Sequence, residues 1–310
     1  PSQEGYDAAW ARTADRLENL RDPLQYDFAR DNPFLQADDP MAAGLAFFED
    51  GEVADAILAF EAEAQRHADN AEAWLMLGRA QQEMDHDDRA IACLEAAVRH
   101  DPYALDALLH LGVSYVNELD PERALRNLKA WVEHNPLYAD LQVRDDGYSD
   151  GSLMDAALQL MQQAAAHSPG DVQVQTVLGV LYNVTRDYDS AVDAFRRAAS
   201  LNPGDHGLWN KLGATLANSN HSDKALAAYE RALDIRPRYA RGWLNRGIAH
   251  ANLNDHAEAA RCYFRALGLN PGARHVWSYL RIVFTCMERF DLVQLASKED
   301  LGAFREEFGF

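Results

Sequence analysis

Asparagine is a mediocre helix former. Yet Asn117, Asn183, Asn210, Asn218, Asn245 and Asn252 all fall in stretches whose apolar spacing is helical. An asparagine amide both donates and accepts hydrogen bonds, so a row of them along a groove can read the backbone of an extended peptide. Lys211 adjoins Asn210, and Arg241 stands one helical turn before Asn245. Two cations so placed can hold a carboxylate through charge-assisted hydrogen bonds. The pattern describes a groove for the free C-terminus of another protein. For Asn117, Asn218 and Asn252 a second reading stays open, because asparagine also favours helix ends, where αL geometry is accessible to it. That alternative does not reach Asn210 or Asn245.

No catalytic constellation accompanies these residues. The chain has no Gly-rich phosphate loop, no His-Glu-x-x-His and no Gly-x-Ser-x-Gly, so neither an enzyme nor a cofactor site is expected. His250 and His256 are six apart and fall on different helix faces, so no metal site is expected either. Cys93, Cys262 and Cys286 have neither metal-ligand spacing nor an even framework. Cys93 and Cys262 occupy the repeat position held elsewhere by Ala59, Ala194 and Ala228, and read as small buried packing residues. Reduced thiols fit a cytosolic protein.

The net charge of −20 argues against nucleic acid or an anionic membrane as the main partner, and favours ligands that carry positive charge. No apolar run of the length a membrane span needs is present. The opening Pro1-Ser2-Gln3-Glu4 shows no signal peptide, and the lack of an initiator methionine points to a piece of a longer protein.

The elements that would position the asparagines come from a period of 34 residues. Gly44, Gly78 and Gly112 are spaced by it, as are Gly179, Gly213 and Gly247. Twelve residues after each glycine stands Ala56, Ala90, Ala124, Ala191, Ala225 or Ala259, and sixteen after stands Phe60, Leu94, Leu128, Phe195, Tyr229 or Tyr263. Pro102, Pro136, Pro203, Pro237 and Pro271 close five of the six units, while the first has Ala68. This phasing is the tetratricopeptide signature, with two helices per unit and the proline ending the second. The expected fold is all-α, a tetratricopeptide superhelix of seven repeats.

Repeats one to three cover 37–138 and repeats five to seven cover 172–273. Between them, 139–171 keeps the second helix of a repeat, in phase at Ala157, Met161, Ala164 and Pro169. Its first half, Arg144 to Gly151, has loop chemistry, and Ser152 is placed to cap the helix that follows. This degenerate fourth repeat reads as a mobile hinge over Asp145 to Gly151 between two three-repeat arms. The leader 1–36 has one helix-like stretch, Asp7 to Leu20. The segment 274–310 reads as a helical cap over the last repeat, with a break near Arg289 and with Phe304, Phe308 and Phe310 beyond it.

The string Leu208 to Asn218 resembles repeat six of the peroxisomal import receptors for type 1 targeting signals, the peroxin 5 family. Val113 to Glu118, Gly179 to Asn183, and Arg241 with Asn245 to Ile248 and Asn252 resemble it too, as do the leader's Tyr26-Asp27-Phe28 and Asn32-Pro33-Phe34 and the tail's Trp277 to Arg281. The resemblance implies a receptor for C-terminal Ser-Lys-Leu-type tripeptides, cycling between cytoplasm and the peroxisomal or glycosomal membrane. It implies ligand contact by Asn117, Asn210, Arg241, Asn245 and Asn252. Val113, Val116, Lys211 and Asn183 line the site nearby, and Val116 departs from the family's threonine, making the pocket more apolar. Membrane docking proteins are expected to be met through the family's N-terminal half, which this chain lacks. Glu118, beside Asn117, reads as part of an acidic rim that selects a basic residue just before the ligand's last one. The alternative is a chaperone-type clamp for an acidic C-terminus, which would require more lysine and arginine along the groove.

Overall fold

Each half of the 34-residue unit becomes one helix in the computed structural model, which describes residues 26–143 and 151–309. Repeats one to three are α1 (Pro40–Asp50) with α2 (Val53–Arg66), α3 (Ala71–Glu83) with α4 (Asp87–His100), and α5 (Leu105–Asn117) with α6 (Pro121–His134). A single helix, α7 (Leu153–His167), follows, and Ser152 caps it by accepting from the Asp155 N–H. Repeats five to seven are α8 (Val172–Thr185) with α9 (Tyr188–Leu201), α10 (His206–Asn218) with α11 (Ser222–Ile235), and α12 (Ala240–Asn252) with α13 (His256–Leu269). The cap consists of α14 (His275–Cys286), α15 (Phe290–Ala296) and α16 (Arg305–Phe308). Among the described residues there is no strand, and the fold is the expected tetratricopeptide superhelix. The leader helix, the hinge residues 145–150 and Phe310 lie outside the described residues.

The periodic residues do what their sizes predict. A Cβ on Gly44 would stand 2.5 Å from the Phe60 ring, and one on Gly247 would stand 2.5 Å from Tyr263. The other four repeat glycines face Leu94, Leu128, Phe195 and Tyr229 at 2.6–2.7 Å. So the glycine and the residue sixteen later are one contact, the point where the two helices of a repeat come closest. Cys93 and Cys262 are buried as expected, whereas Cys286 is exposed at the end of α14. Asp120, Asp187 and Asp255 cap α6, α9 and α13, and Asn70, Asp171 and Asp205 cap α3, α8 and α10. Part of the acidic excess is therefore structural, each cap stabilising its helix by about 1 kcal/mol.

One of the two readings of the helix-end asparagines falls away. Asn117, Asn218 and Asn252 do end their helices, but the αL residues are Leu119, Asn220 and Asn254, two positions further on. The turn reverses only after the last helical residue, so αL tolerance does not explain these asparagines. A further device links the repeats: the indoles of Trp74, Trp209 and Trp243 donate to the carbonyls of Ala68, Pro203 and Pro237, 2.8–3.0 Å away in the preceding turn.

Both ends of the array are covered. Tyr26 donates to Glu61 at 2.7 Å and lies under the Arg89 guanidinium, so the leader seals repeats one and two. At the other end Phe304 and Phe308 pack with Phe264 and Phe284 against α13 and α14. Arg289 marks the expected break as the residue that precedes α15.

The two arms also meet directly. Arg236, before α12, pairs with Glu83 at the end of α3 (2.8 Å) and donates to the Phe48 carbonyl (2.6 Å). Asn270 donates to the Met84 carbonyl at 2.7 Å, and His275 lies 3.2 Å from Asp85. These contacts bring repeat six against repeats one and two, and repeat seven with the cap against repeat two, so the superhelix closes on itself.

Candidate functional site

Closure leaves a central cavity of about 790 Å³ walled by the first helices of the repeats. Helix α3 contributes Arg79, Gln82 and Glu83, and α5 contributes His110, Val113, Val116 and Asn117. Across from them stand Asn183 on α8, Asn210, Lys211 and Asn218 on α10, and Arg241 and Asn245 on α12. Nine of the eleven site residues expected from sequence thus share one cavity. Asn252 and Glu118 are not in its wall. Asn252 is exposed at the end of α12, its amide 3.4 Å from the Ser222 hydroxyl, and Glu118 is exposed just past α5.

The amides form a partly satisfied array. Asn245 donates to the Asn210 carbonyl oxygen at 3.0 Å, which leaves the Asn210 NH₂ group without a partner among the described residues. Asn183 donates to the Thr215 hydroxyl at 2.9 Å, while its own Oδ1 is buried with no partner. A buried acceptor left unpaired costs about 1–3 kcal/mol, so an incoming N–H group would relieve it. Val113, Val116, Leu119, Val180 and Val184 give the same cavity an apolar side.

Arg241 is already engaged. Its Nη2 lies 2.6 Å from Asp87 Oδ2 and 3.2 Å from Asp85 Oδ1, and its Nε donates to the Gln82 carbonyl at 2.8 Å. Burial opposes its charge, but Asp87 and Asp85 outweigh that and hold its pKa above the ordinary range. Asp85 is held below the usual carboxylate range because Arg241 and His275 outweigh its own burial. Asp87 also accepts from Ser114 (2.8 Å) and Asn117 (3.0 Å), so Asn117 faces the cavity through this carboxylate.

Lys211 differs. Its ammonium has no carboxylate within ion-pair distance among the described residues, and burial lowers its pKa while Arg241 and Arg79 add to the shift against Asp205. His110, which sequence reasoning missed, faces the same space with Nδ1 2.6 Å from Gln82 Oε1. Burial pushes it well below the usual imidazole range, with Arg79 and Lys211 reinforcing the effect. At the rim, Glu118 is raised by desolvation and by its neighbours Asp87 and Asp88. The site therefore pairs a basic floor with an acidic edge.

Arg79, Gln82 and His110 were not expected from the sequence, although Arg79 left a signal. It follows the repeat glycine, where the other repeats carry Leu45, Val113, Val180, Ala214 and Ile248. No group of metal-ligating side chains, and no helix long and apolar enough to cross a membrane, occurs among the described residues.

Tetratricopeptide-repeat models match residues 41–83 with 149–206, residues 71–103, and residues 212–281. The chain is 38% identical over 186 residues to "Peroxisome biogenesis protein 5" of Arabidopsis thaliana, covering 58% of this chain and 25% of that one. It is 42% identical over 160 residues to "Peroxisomal targeting signal 1 receptor" of Dictyostelium discoideum, covering 49% and 25%. With "Peroxisomal targeting signal receptor" of Yarrowia lipolytica it shares 34% over 199 residues, covering 60% and 33%. It thus aligns with a quarter to a third of these relatives' lengths. Solved structures similar to it include MamA (22% identical, 63% of this chain and 95% of that chain, TM-score 0.34) and YrrB, titled a TPR protein with an unusual peptide-binding site (17%, 71% and 97%, TM-score 0.36). The chain is a tetratricopeptide-repeat protein whose repeats are related to those of the peroxisomal targeting signal 1 receptors.

Proposed function

We propose that the central cavity binds the extended C-terminal peptide of other proteins, of the Ser-Lys-Leu type, and that the chain is the cargo-recognition part of a peroxisomal or glycosomal import receptor. The observation that carries this reading is Lys211, an enclosed ammonium with no carboxylate partner among the described residues, set among asparagine amides with unused hydrogen-bonding capacity. A peptide end supplies what is missing: a carboxylate for the cation and a backbone for the amides. Val113, Val116 and Val180 offer an apolar wall for the last side chain.

The competing reading is a clamp for an acidic C-terminus. The rim group Glu118, with Asp88 beside it, speaks against that ligand by like-charge repulsion. Titration of labelled peptides separates the two. A peptide ending in Ser-Lys-Leu is expected to bind at least about tenfold more tightly than one ending in Glu-Asp, a gap of about 1.4 kcal/mol. Equal or reversed affinities would discard the import-receptor reading.

A further inference from the structure

Four cationic residues line the cavity, against two acidic ones, in a chain whose net charge is −20. Arg241 is matched by Asp87 and Asp85, and Arg186 is exposed at the rim. Arg79 and Lys211 remain. Both are half-buried, and neither has a carboxylate within ion-pair distance among the described residues. The contacts of Arg79 are a 3.6 Å donation to the Met76 sulfur and a position 5.6 Å above the Phe48 ring. Such contacts orient a guanidinium without neutralising it.

Two enclosed like charges are costly unless an anion joins them. The sequence marks Arg79 independently, since its position after the repeat glycine is apolar in all five other glycine-bearing repeats. The helix-packing role of that position does not ask for arginine. His110 completes the cluster. Gln82 Oε1 only accepts, so the bond to it places a proton on His110 Nδ1. Burial, with Arg79 and Lys211 nearby, disfavours a second proton and makes His110 an uncharged neighbour of the two cations.

We propose that Arg79 together with Lys211 seats the terminal carboxylate of the bound peptide, and that Arg241 acts as the clasp positioning this wall without supplying the carboxylate's counter-charge. The assignment rests on the peptide reading above. Arg241 reaches the wall through Gln82, whose carbonyl accepts its Nε and whose side chain holds His110. Arg79 lies one helical turn before Gln82 on α3, so the clasp fixes the segment that aims it. Arg79 is then a specificity residue and Arg241 a positioning residue.

The test measures two peptides, one ending in Ser-Lys-Leu and its C-terminal amide, against the wild-type protein, Arg79→Gln, Arg79→Lys and Arg241→Gln. The wild type is expected to prefer the free carboxylate by about tenfold or more. Arg79→Gln should reduce that preference to within about threefold by weakening only the carboxylate form, and Arg79→Lys should restore part of it. Arg241→Gln should weaken both forms by the same factor. If Arg79→Gln keeps the full wild-type preference, or if Arg241→Gln abolishes it, the assignment is overturned while the peptide reading stands. If the wild type itself ignores amidation, the peptide-terminus reading falls and takes the assignment with it. Thermal unfolding of Arg79→Gln at the wild-type midpoint shows that a lost preference is not a lost fold.

Discussion

Arg241 Nη2 and Asp87 Oδ2 stand 2.6 Å apart although 154 residues separate them in the chain. Their side chains are 12% and 6% exposed, so the pair works in a largely dehydrated setting that links repeat seven to repeat two. Removing one partner of such a pair leaves a buried charge and costs about 3–5 kcal/mol. Arg241→Gln and Asp87→Asn should each lower the unfolding midpoint clearly. The double variant should lose less than the sum of the two, which a double-mutant cycle reads directly. Strict additivity would show that the contact is not energetically coupled.

Asn245→Ala should weaken binding of a Ser-Lys-Leu peptide by about 1–3 kcal/mol, since it removes the partner of the Asn210 amide in the cavity wall. Helicity should hold or rise, alanine being the better helix former. Calorimetric titration and circular dichroism on one sample check both halves. A fall in helicity that parallels the fall in affinity would make Asn245 a structural residue.

His110 gives a pH signature. Its pKa in the folded chain is lowered by burial, so below the unfolded value of about 6.5 the unfolded chain takes up the proton first. Its stabilising contribution is therefore full above that pH and is lost as the pH falls through the lowered value. His110→Asn keeps a donor for Gln82 but does not titrate. The stability gap between wild type and variant should shift toward the variant between pH 7.5 and 5 by about 1.4 kcal/mol per unit of pKa displacement. Denaturant melts across that range would contradict this if the gap stayed constant.

Glu118, set beside Asp87 and Asp88, should favour a basic residue just before the end of the ligand. Exposed pairs are worth about 0.2–1 kcal/mol, so the preference should be several-fold and should shrink as salt screens it. Peptides ending Ser-Lys-Leu, Ser-Ala-Leu and Ser-Glu-Leu are expected to bind in that order at low ionic strength. Equal affinity of the lysine and glutamate peptides there would remove the rim from recognition.

What the sequence made legible was whatever repeats. Gly247 and Tyr263 are sixteen apart, a spacing that recurs in the other repeats and set the helix boundaries, while the contact between the two appears only in the folded chain. Asn210, Asn245 and Lys211 stood out because they break a helical pattern. The clasp was not legible, because Asp85 and Asp87 look like ordinary turn and helix-start acids until the chain curls round to Arg241. His110 stands two residues before its repeat glycine, as Lys211 and Asn245 do, and Gln82 four after, as Val116 and Asn183 do, so superposing the repeats would have put both in the wall. Arg79 could have been found by comparing the residue after each glycine, a comparison across repeats that spacing alone does not prompt. The resemblance placed Asn252 against the ligand, whereas its side chain is exposed at the end of α12, outside the cavity wall. Glu118, read as a rim residue from its place beside Asn117, is exposed just past α5.

The pairing of Arg236 with Glu83 and of Arg241 with Asp87 has a topological effect. In an open stack each unit answers only to its neighbours, and removing the last one deletes one interface. Here repeats six and seven touch repeats one and two, so the array behaves as a cycle. Removing repeat seven would sever two interfaces, and adding a repeat would displace the final unit from its mate. The number of units is thereby pinned, and so is the pitch that brings the ends together. Folding follows the same geometry: neighbouring helices can pair early, whereas the contacts that seal the ring span half the chain and must wait for everything between them.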